Sequence, residues 1–309
     1  RAQFQRELAG LYPAGEVNGF FAMLCEAYLG YDTAAMLLHF PEPINQSDLL
    51  RFHWALEDLL RERPIQHIIG YVDFCGCRIE VNENVLVPRP ETEEIVGVLM
   101  ADGRWQKDRI LDLCTGSGCI AIALKKAFPE AAVTAVDISE EALAVARRNA
   151  QANGADITFL QEDILGATFN IQHPTFNLII SNPPYVLDSE RAEMRRNVLE
   201  HDPALALFVP DSDPLRFYRA IGGSLHCPSP TCPELPHHKS LRSAYSLGLQ
   251  TWDFPIFLPG HRFMAPPALI DRFEPAGLLP LPPHPASRQR TELCFDCMPV
   301  RFAVRVSHP

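Results

Sequence analysis

The sequence predicts an α/β protein in which a parallel sheet with helices on both faces follows a helical segment and a β-hairpin. Three observations predict it. Residues 1–62 carry apolar residues at spacings of three and four, the period changes to two from Gln66, and from Arg109 short apolar strands alternate with helix-patterned stretches. At 309 residues the chain is long enough for two domains. Its 47% hydrophobic and 21% charged content is that of a soluble globular protein. No run of about 18 apolar residues appears, so no membrane span is expected. No basic-then-apolar leader opens the chain at Arg1, so a secretory signal is not expected either. The net charge of −11 argues against a duplex nucleic-acid partner gripped through a basic face. Nine cysteines are too sparse for a disulfide scaffold, and the five in the first 221 residues lack metal-ligand spacing; a reducing cytoplasm and no metal are expected.

In the helical part, "GEVNGFFAMLCEAYLG" and "SDLLRFHWALEDLLRERP" both show the helical period. The second has Ser47 as its expected N-cap, Leu49, Phe52, Leu56 and Leu59 as its buried stripe and Pro64 as its end. "FCGCRIEVNENVLVPRP" has short β runs bounded by Gly76, Asn82 and Asn84, which predicts a hairpin, with Cys75 and Cys77 as two small hydrophobes on one strand face. Strand "RILDL" (109–113) then turns into helix "CIAIALKKAF", and strand "AVTAVDI" (132–138) leads into "SEEALAVARRNAQANG", with Ser139 starting that helix and Gly154 stopping it. "ITFL" (157–160) and "FNLIIS" (176–181) are the next two strands. Ligands in such sheets bind at the carboxyl ends of the strands.

The composition breaks after Ile221. The last 88 residues hold 15 of the 28 prolines and 6 of the 11 histidines but only 6 of the 38 acidic residues, with neither helical nor strand periodicity over most of their length. A shifted reading frame in a GC-rich gene would give such a break. Cys227, Cys232, Cys294 and Cys297 are too irregularly spaced for a zinc set. "MPVRFAVRV" can form one strand; otherwise the edge beside the fourth sheet strand is expected to lack a regular partner.

Three motifs can carry chemistry. In "DLCTGSGCIA", Gly116 and Gly118 let backbone approach a ligand ahead of a helix N-terminus. Asp137, about 20 residues further on, suits ribose hydroxyls, so this loop alone fits either a dinucleotide or S-adenosylmethionine. Asp163 in "FLQEDIL" can accept from an exocyclic amine while Ile164 packs on a flat ring; a solvated loop acid is the plainer account. Asn182-Pro183-Pro184-Tyr185 ends the fourth strand on an amide, two rigid rings and a phenol. An amide or aniline nitrogen is a poor nucleophile because its lone pair is delocalised. The Asn182 oxygen and Pro183 carbonyl can accept its two protons and turn that lone pair toward a methyl group, beside the Tyr185 ring.

In this order "DLCTGSGCIA", "AVDIS", "EDIL" and "SNPPYV" resemble the motifs of class I S-adenosylmethionine-dependent methyltransferases, with their Rossmann-like sheet. Together with "RERPIQHIIGYVDFCG", "VLVPRPETEEIV" and "LEHDPALALFVP", they are similar to the HemK/PrmC family. That family methylates N5 of the glutamine in the Gly-Gly-Gln motif of class 1 peptide chain release factors. The resemblance runs from about residue 20 to Ile221. It implies a helical release-factor-docking domain at 1–65, a hairpin linker at 66–90, a methyltransferase domain at 91–221 and an atypical Pro-rich tail at 222–309 that departs from the family's last strands. It implies S-adenosylmethionine as cofactor, with Gly116 and Gly118 at its methionine part, Asp137 at the ribose and Asp163 with Ile164 at the adenine. Asp112, Thr115, Ile138 and Asn182 join this set. Asn182 and Pro183 would orient the glutamine amide, with Tyr185 beside it and Pro184, Arg89 and Glu91 contacting substrate; Arg89, Pro90, Glu91, Thr92 and Glu93 would lie near the cofactor entrance. A monomer in the cytoplasm with no direct nucleic-acid contact is expected. A base-amine methyltransferase, a nicotinamide oxidoreductase and an inactive remnant remain as alternatives. The acidic charge and "PRPETE" weigh against the first of these, and the idle Asn182 to Tyr185 against the second.

Overall fold

The structure, a computed structural model, describes residues 1–39, 43–103, 105–166, 169, 176–223 and 301–304. The helical part comprises α1 (Ala2–Leu8), α2 (Ala14–Leu29), α3 (Thr33–His39), α4 (Gln46–Leu60) and α5 (Ile65–Ile69). Phe4, Leu8, Val17, Leu24, Phe52, Leu56 and Leu59 close a core of their own. Gly30, at φ 70°, ends α2 with a left-handed cap. Two expectations for α4 are corrected. Its N-cap is Asn45, whose side-chain oxygen accepts from the Asp48 N–H at 2.8 Å, so Ser47 already lies inside the first turn. Leu49 is 57% exposed, and Ala55 takes its place in the buried stripe, because the start of the helix stands clear of its neighbours. The helix stops at Leu60, before Pro64, and Pro64 instead caps α5. Gln66–Ile69, expected to be extended, therefore forms a helical turn between Pro64 and the left-handed Gly70.

The hairpin pairs β1 (Tyr71–Phe74) with β2 (Cys77–Glu80) in antiparallel fashion. Cys75 (φ 47°) and Gly76 (φ 74°) are both left-handed, which matches the twist of the strands they join. Cys75 is thus a turn residue and does not share a strand face with Cys77, which is buried. The Glu93 carboxylate accepts from the Cys75 N–H at 2.7 Å and holds the turn.

The remaining elements are α6 (Pro90–Asp102), β3 (Arg109–Leu113), α7 (Cys119–Ala127), β4 (Ala132–Asp137), α8 (Glu140–Asn153), β5 (Thr158–Gln161) and β6 (Leu178–Ser181). They are followed by β7 (Val186–Leu187), α9 (Arg196–His201), α10 (Ala204–Leu207), β8 (Phe208–Val209), α11 (Arg216–Gly223) and β9 (Arg301–Val304). Ser139 caps α8 through its hydroxyl and Gly154 stops it in a left-handed conformation, as the sequence predicts. The sheet runs β5-β4-β3-β6-β9, every pair parallel. The edge of β6, expected to lack a regular partner, pairs with β9 in the register Leu178–Arg301 to Ser181–Val304, because a parallel neighbour satisfies its ladder groups. The other readings of the tail, the shifted frame and the Cys227, Cys232, Cys294 and Cys297 spacing, lie outside the described residues.

Strand alternation sorts the apolar side chains into two cores. Ile110, Val133, Ala135, Leu178 and Ile180 face α6, α7, α8 and the hairpin. Leu111, Leu113, Val136 and Ile179 face the other way, against Ile164, Phe217 and Ile221.

Gly118 caps α7 at φ 80°, and a Cβ there would lie 3.0 Å from Ala146 Cβ of α8. Gly116, at φ 54°, would carry a Cβ into open space. Gly118→Ala should therefore cost about 2–4 kcal/mol through strain and overlap, whereas Gly116→Ala should cost about 1 kcal/mol. Thermal melting of the two variants checks this; equal losses would refute the packing role.

Candidate active site

A cavity of about 310 Å³ opens at the carboxyl ends of the strands. It lies where the order of an open parallel sheet reverses, since β4 departs from β3 on one side and β6 pairs on the other. The buried Ser181 hydroxyl donates to the Leu113 carbonyl at 2.8 Å, fixing the end of β6 against the end of β3. Asn182 and Cys114 then follow side by side into the cavity wall. Cys114 is left-handed at φ 57°, a conformation that favours glycine, and burial raises its thiol pKa far above the ordinary range.

Asp137, ending β4, is held by the turn it faces. The Gly116 N–H donates to Oδ2 at 2.8 Å and the Ser139 N–H to Oδ1 at 3.0 Å. Burial raises the pKa of this carboxyl, and the backbone donors from Ser139, Gly116 and Ile138 oppose the shift. Ile138 beside it is 44% exposed although apolar, and lines the cavity with Ile164 and Leu165. Asp163 is exposed on the rim, where its Oδ1 accepts from the Leu165 N–H at 2.9 Å.

Of the expected site residues, Arg89, Thr115, Gly116, Asp137, Ile138, Asp163, Ile164, Asn182 and Pro184 line this one cavity. The Asn182 carboxamide makes no hydrogen bond among the described residues. Glu91, Pro183 and Tyr185 are not on the wall, and neither is Gly118, which packs on α8. The Tyr185 N–H donates to the Leu207 carbonyl at 3.2 Å, tying the proline segment to the end of α10.

Asp112 is fully buried beneath the glycine turn. Thr115 Oγ1 donates to its Oδ2 at 2.6 Å. The Ala121 backbone N–H favours the ionised form without closing a hydrogen bond, so Oδ1 is unpaired among the described residues. Burial, opposed by Thr115, pushes the carboxyl up to about 7.

Three contributors escaped the sequence reading. Asn149 of α8 accepts from the Glu80 N–H at 2.7 Å and donates to the Glu80 and Ser117 carbonyls at 3.0 and 2.9 Å, joining the hairpin to the glycine turn. Arg216 and Phe217 of α11 close another side of the cavity. An asparagine on the apolar side of a helix was the available signal for the first; for the other two, periodicity contained none.

A parallel sheet in this order, with an acid after β4 and an Asn-Pro-Pro segment beside the glycine turn, defines a class I methyltransferase. A family model described as the methyltransferase small domain matches residues 92–204, and one described as the PrmC N-terminal domain matches residues 13–70. The release factor glutamine methyltransferase of Bacteroides thetaiotaomicron is 43% identical over 220 residues, covering 71% of this chain and 78% of that protein. The enzyme of the same description from Flavobacterium psychrophilum is 42% identical over 225 residues, covering 72% and 78%. The chain belongs to the release factor glutamine methyltransferase family. Among solved structures, a tRNA (uracil-54, C5)-methyltransferase of Pyrococcus abyssi in complex with S-adenosyl-L-homocysteine overlaps 50% of this chain and 37% of its own at 19% identity and a TM-score of 0.32. That overlap adds nothing to the assignment.

Folded Asp112 keeps its proton up to about pH 7, whereas an unfolded aspartate releases it near 3.8. The folded state therefore binds more protons in between, and this group's contribution to stability declines as pH rises from about 4 to 7. Asp112→Asn should remove that decline. The variant should gain stability relative to the unmodified chain as pH rises from about 4 to 7, by up to roughly 4 kcal/mol in all, of which roughly 2–3 kcal/mol falls above pH 5. Denaturant melts at pH 5 and pH 8 measure this; a pH-independent difference would contradict it.

Proposed function

We propose that this chain transfers the methyl group of S-adenosylmethionine to the side-chain amide nitrogen of the glutamine in the Gly-Gly-Gln motif of class 1 peptide chain release factors. The observation that carries the reading is Asn182: a carboxamide without a partner among the described residues, on the same wall as Asp137 and Gly116.

The residues present fit the cofactor. Gly116 leaves open space where a side chain would stand. Asp137 uses one lone pair of each oxygen on backbone and keeps others for ribose hydroxyls. Exposed Ile138 offers a nucleobase an apolar face, and Asp163 keeps Oδ2 for an exocyclic amine. When bound, the cofactor supplies an electrophilic methyl carbon whose leaving group departs as a neutral thioether.

The protein's part is orientation. Asn182 Oδ1 and the Pro183 carbonyl accept the two N–H groups of the glutamine amide, so its nitrogen lone pair turns out of conjugation toward the methyl carbon, and the methylated nitrogen afterwards releases one of those protons to solvent. Pro184, Leu205 and Phe208 line the cavity with apolar surface and exclude water from the transfer. Tyr185, off the cavity wall, anchors this segment through its N–H to the Leu207 carbonyl. Residues 1–65, with a core of their own, dock the release factor, and residues 66–90 hold that part against the catalytic sheet. Among the described residues no helix is long and apolar enough to cross a membrane.

Asn182→Ala removes one of the two oriented acceptors. With purified release factor and labelled S-adenosylmethionine, kcat should fall by about 10²–10³-fold while the cofactor dissociation constant changes at most a few-fold. Label on nucleic acid, or an undiminished rate, would overturn the assignment.

A further inference from the structure

Asp202 follows α9 and its side chain is only 2% exposed. Its Oδ2 accepts from Arg89 Nη2 at 3.0 Å. Its Oδ1 faces His67 Nε2 of α5 at 4.0 Å, and both atoms are buried with no hydrogen-bond partner among the described residues. Three segments meet at this carboxylate. Arg89 ends the stretch that carries Val85 and Val87 along the cavity, His67 belongs to the helical part, and Pro203, next in the chain, begins the wall that continues through Leu205 and Phe208. Burying such a pair is not in itself stabilising, since desolvation offsets the attraction, so its effect is to be sought in geometry.

We infer that Asp202 is a positioning residue for cofactor binding: it holds the Val85–Arg89 and Pro203–Phe208 walls in register with each other and with α5, and so sets the width of the cofactor entrance. This rests on the reading of the cavity as the cofactor site. Nothing in the geometry has Asp202 touch a reacting atom. It acts through Arg89 and Pro203, which line the cavity.

The surrounding charges give the inference a pH signature. Burial pushes Asp202 up to about 6, against the pull of Arg89, the Val87 N–H and His201. Burial, aided by Arg63, His201 and Arg89 and opposed by Glu83, holds His67 down at about 4. Near pH 7 Asp202 is ionised and His67 neutral. As pH falls through 6, Asp202 gains a proton in the folded protein, Arg89 loses its counter-charge and the entrance loosens. Cofactor affinity should fall with it.

Calorimetry with S-adenosylmethionine on the full chain between pH 5 and pH 8 tests this. At pH 7.5 Asp202→Asn should bind about 10-fold more weakly than the unmodified chain, and this difference should vanish by pH 5. At saturating cofactor and release factor its kcat should stay within about 3-fold. Arg89→Lys, which keeps the charge, should bind within a few-fold of the unmodified chain, and Arg89→Gln should behave as Asp202→Asn does. Should Asp202→Asn fail to fold, Arg89→Gln gives the same reading from the more exposed partner. Equal affinity of variant and unmodified chain at pH 7.5, or a difference that persists unchanged to pH 5, overturns the inference. Failure of the unmodified chain to bind the cofactor at all would instead sink the functional reading beneath it.

Discussion

The parallel pairing of β3 with β6 is the constraint on which the site depends. It sets Leu113 beside Ser181, and one buried hydroxyl bond closes that contact. Past these residues the two chains can no longer pair, because one turns through left-handed Cys114, Gly116 and Gly118 and the other enters two prolines without N–H groups. The sheet therefore ends in a cleft with irregular backbone on both walls. Carbonyls and N–H groups that a longer ladder would have consumed are left for a ligand.

Around that cleft the protein places its acids in different environments. Asp137 sits on the wall with a backbone donor on each oxygen, and Asp163 remains at the exposed rim. Asp112 is sealed beneath the turn with Thr115 as its hydrogen-bond donor, and holds its proton to about pH 7. A methyl transfer to an amide needs acceptors for N–H groups more than it needs a strong base. The Asn182 carboxamide places an uncharged donor and acceptor on the same wall as Asp137.

The helical part and the hairpin are coupled to the cleft by polar contacts as well as packing. Asn149 ties β2 to the glycine turn, Glu93 holds the hairpin tip, and Asp202 joins Arg89 beside His67. Each link spans segments far apart in the chain. The helical part thereby shares fixed points with the walls of the cavity.

Periodicity and punctuation in the sequence determined the strand and helix alternation, the α8 cap at Ser139, the hairpin, and the glycine, aspartate and Asn-Pro-Pro-Tyr motifs, because each depends on residues within a few positions of one another. Local signals misplaced Ser47 and Leu49, since two cap residues compete within three positions and an amphipathic stripe does not say which of its ends will meet a partner. Only the tertiary structure decided that Arg301–Val304 would cover the edge of β6, that Gly118 serves helix packing while Gly116 opens on the cavity, and that Asp202 would meet Arg89 and His67. The physical reason is common to these: burial, edge pairing and ion pairing are properties of what lies opposite a residue in space, and no window along the chain contains it.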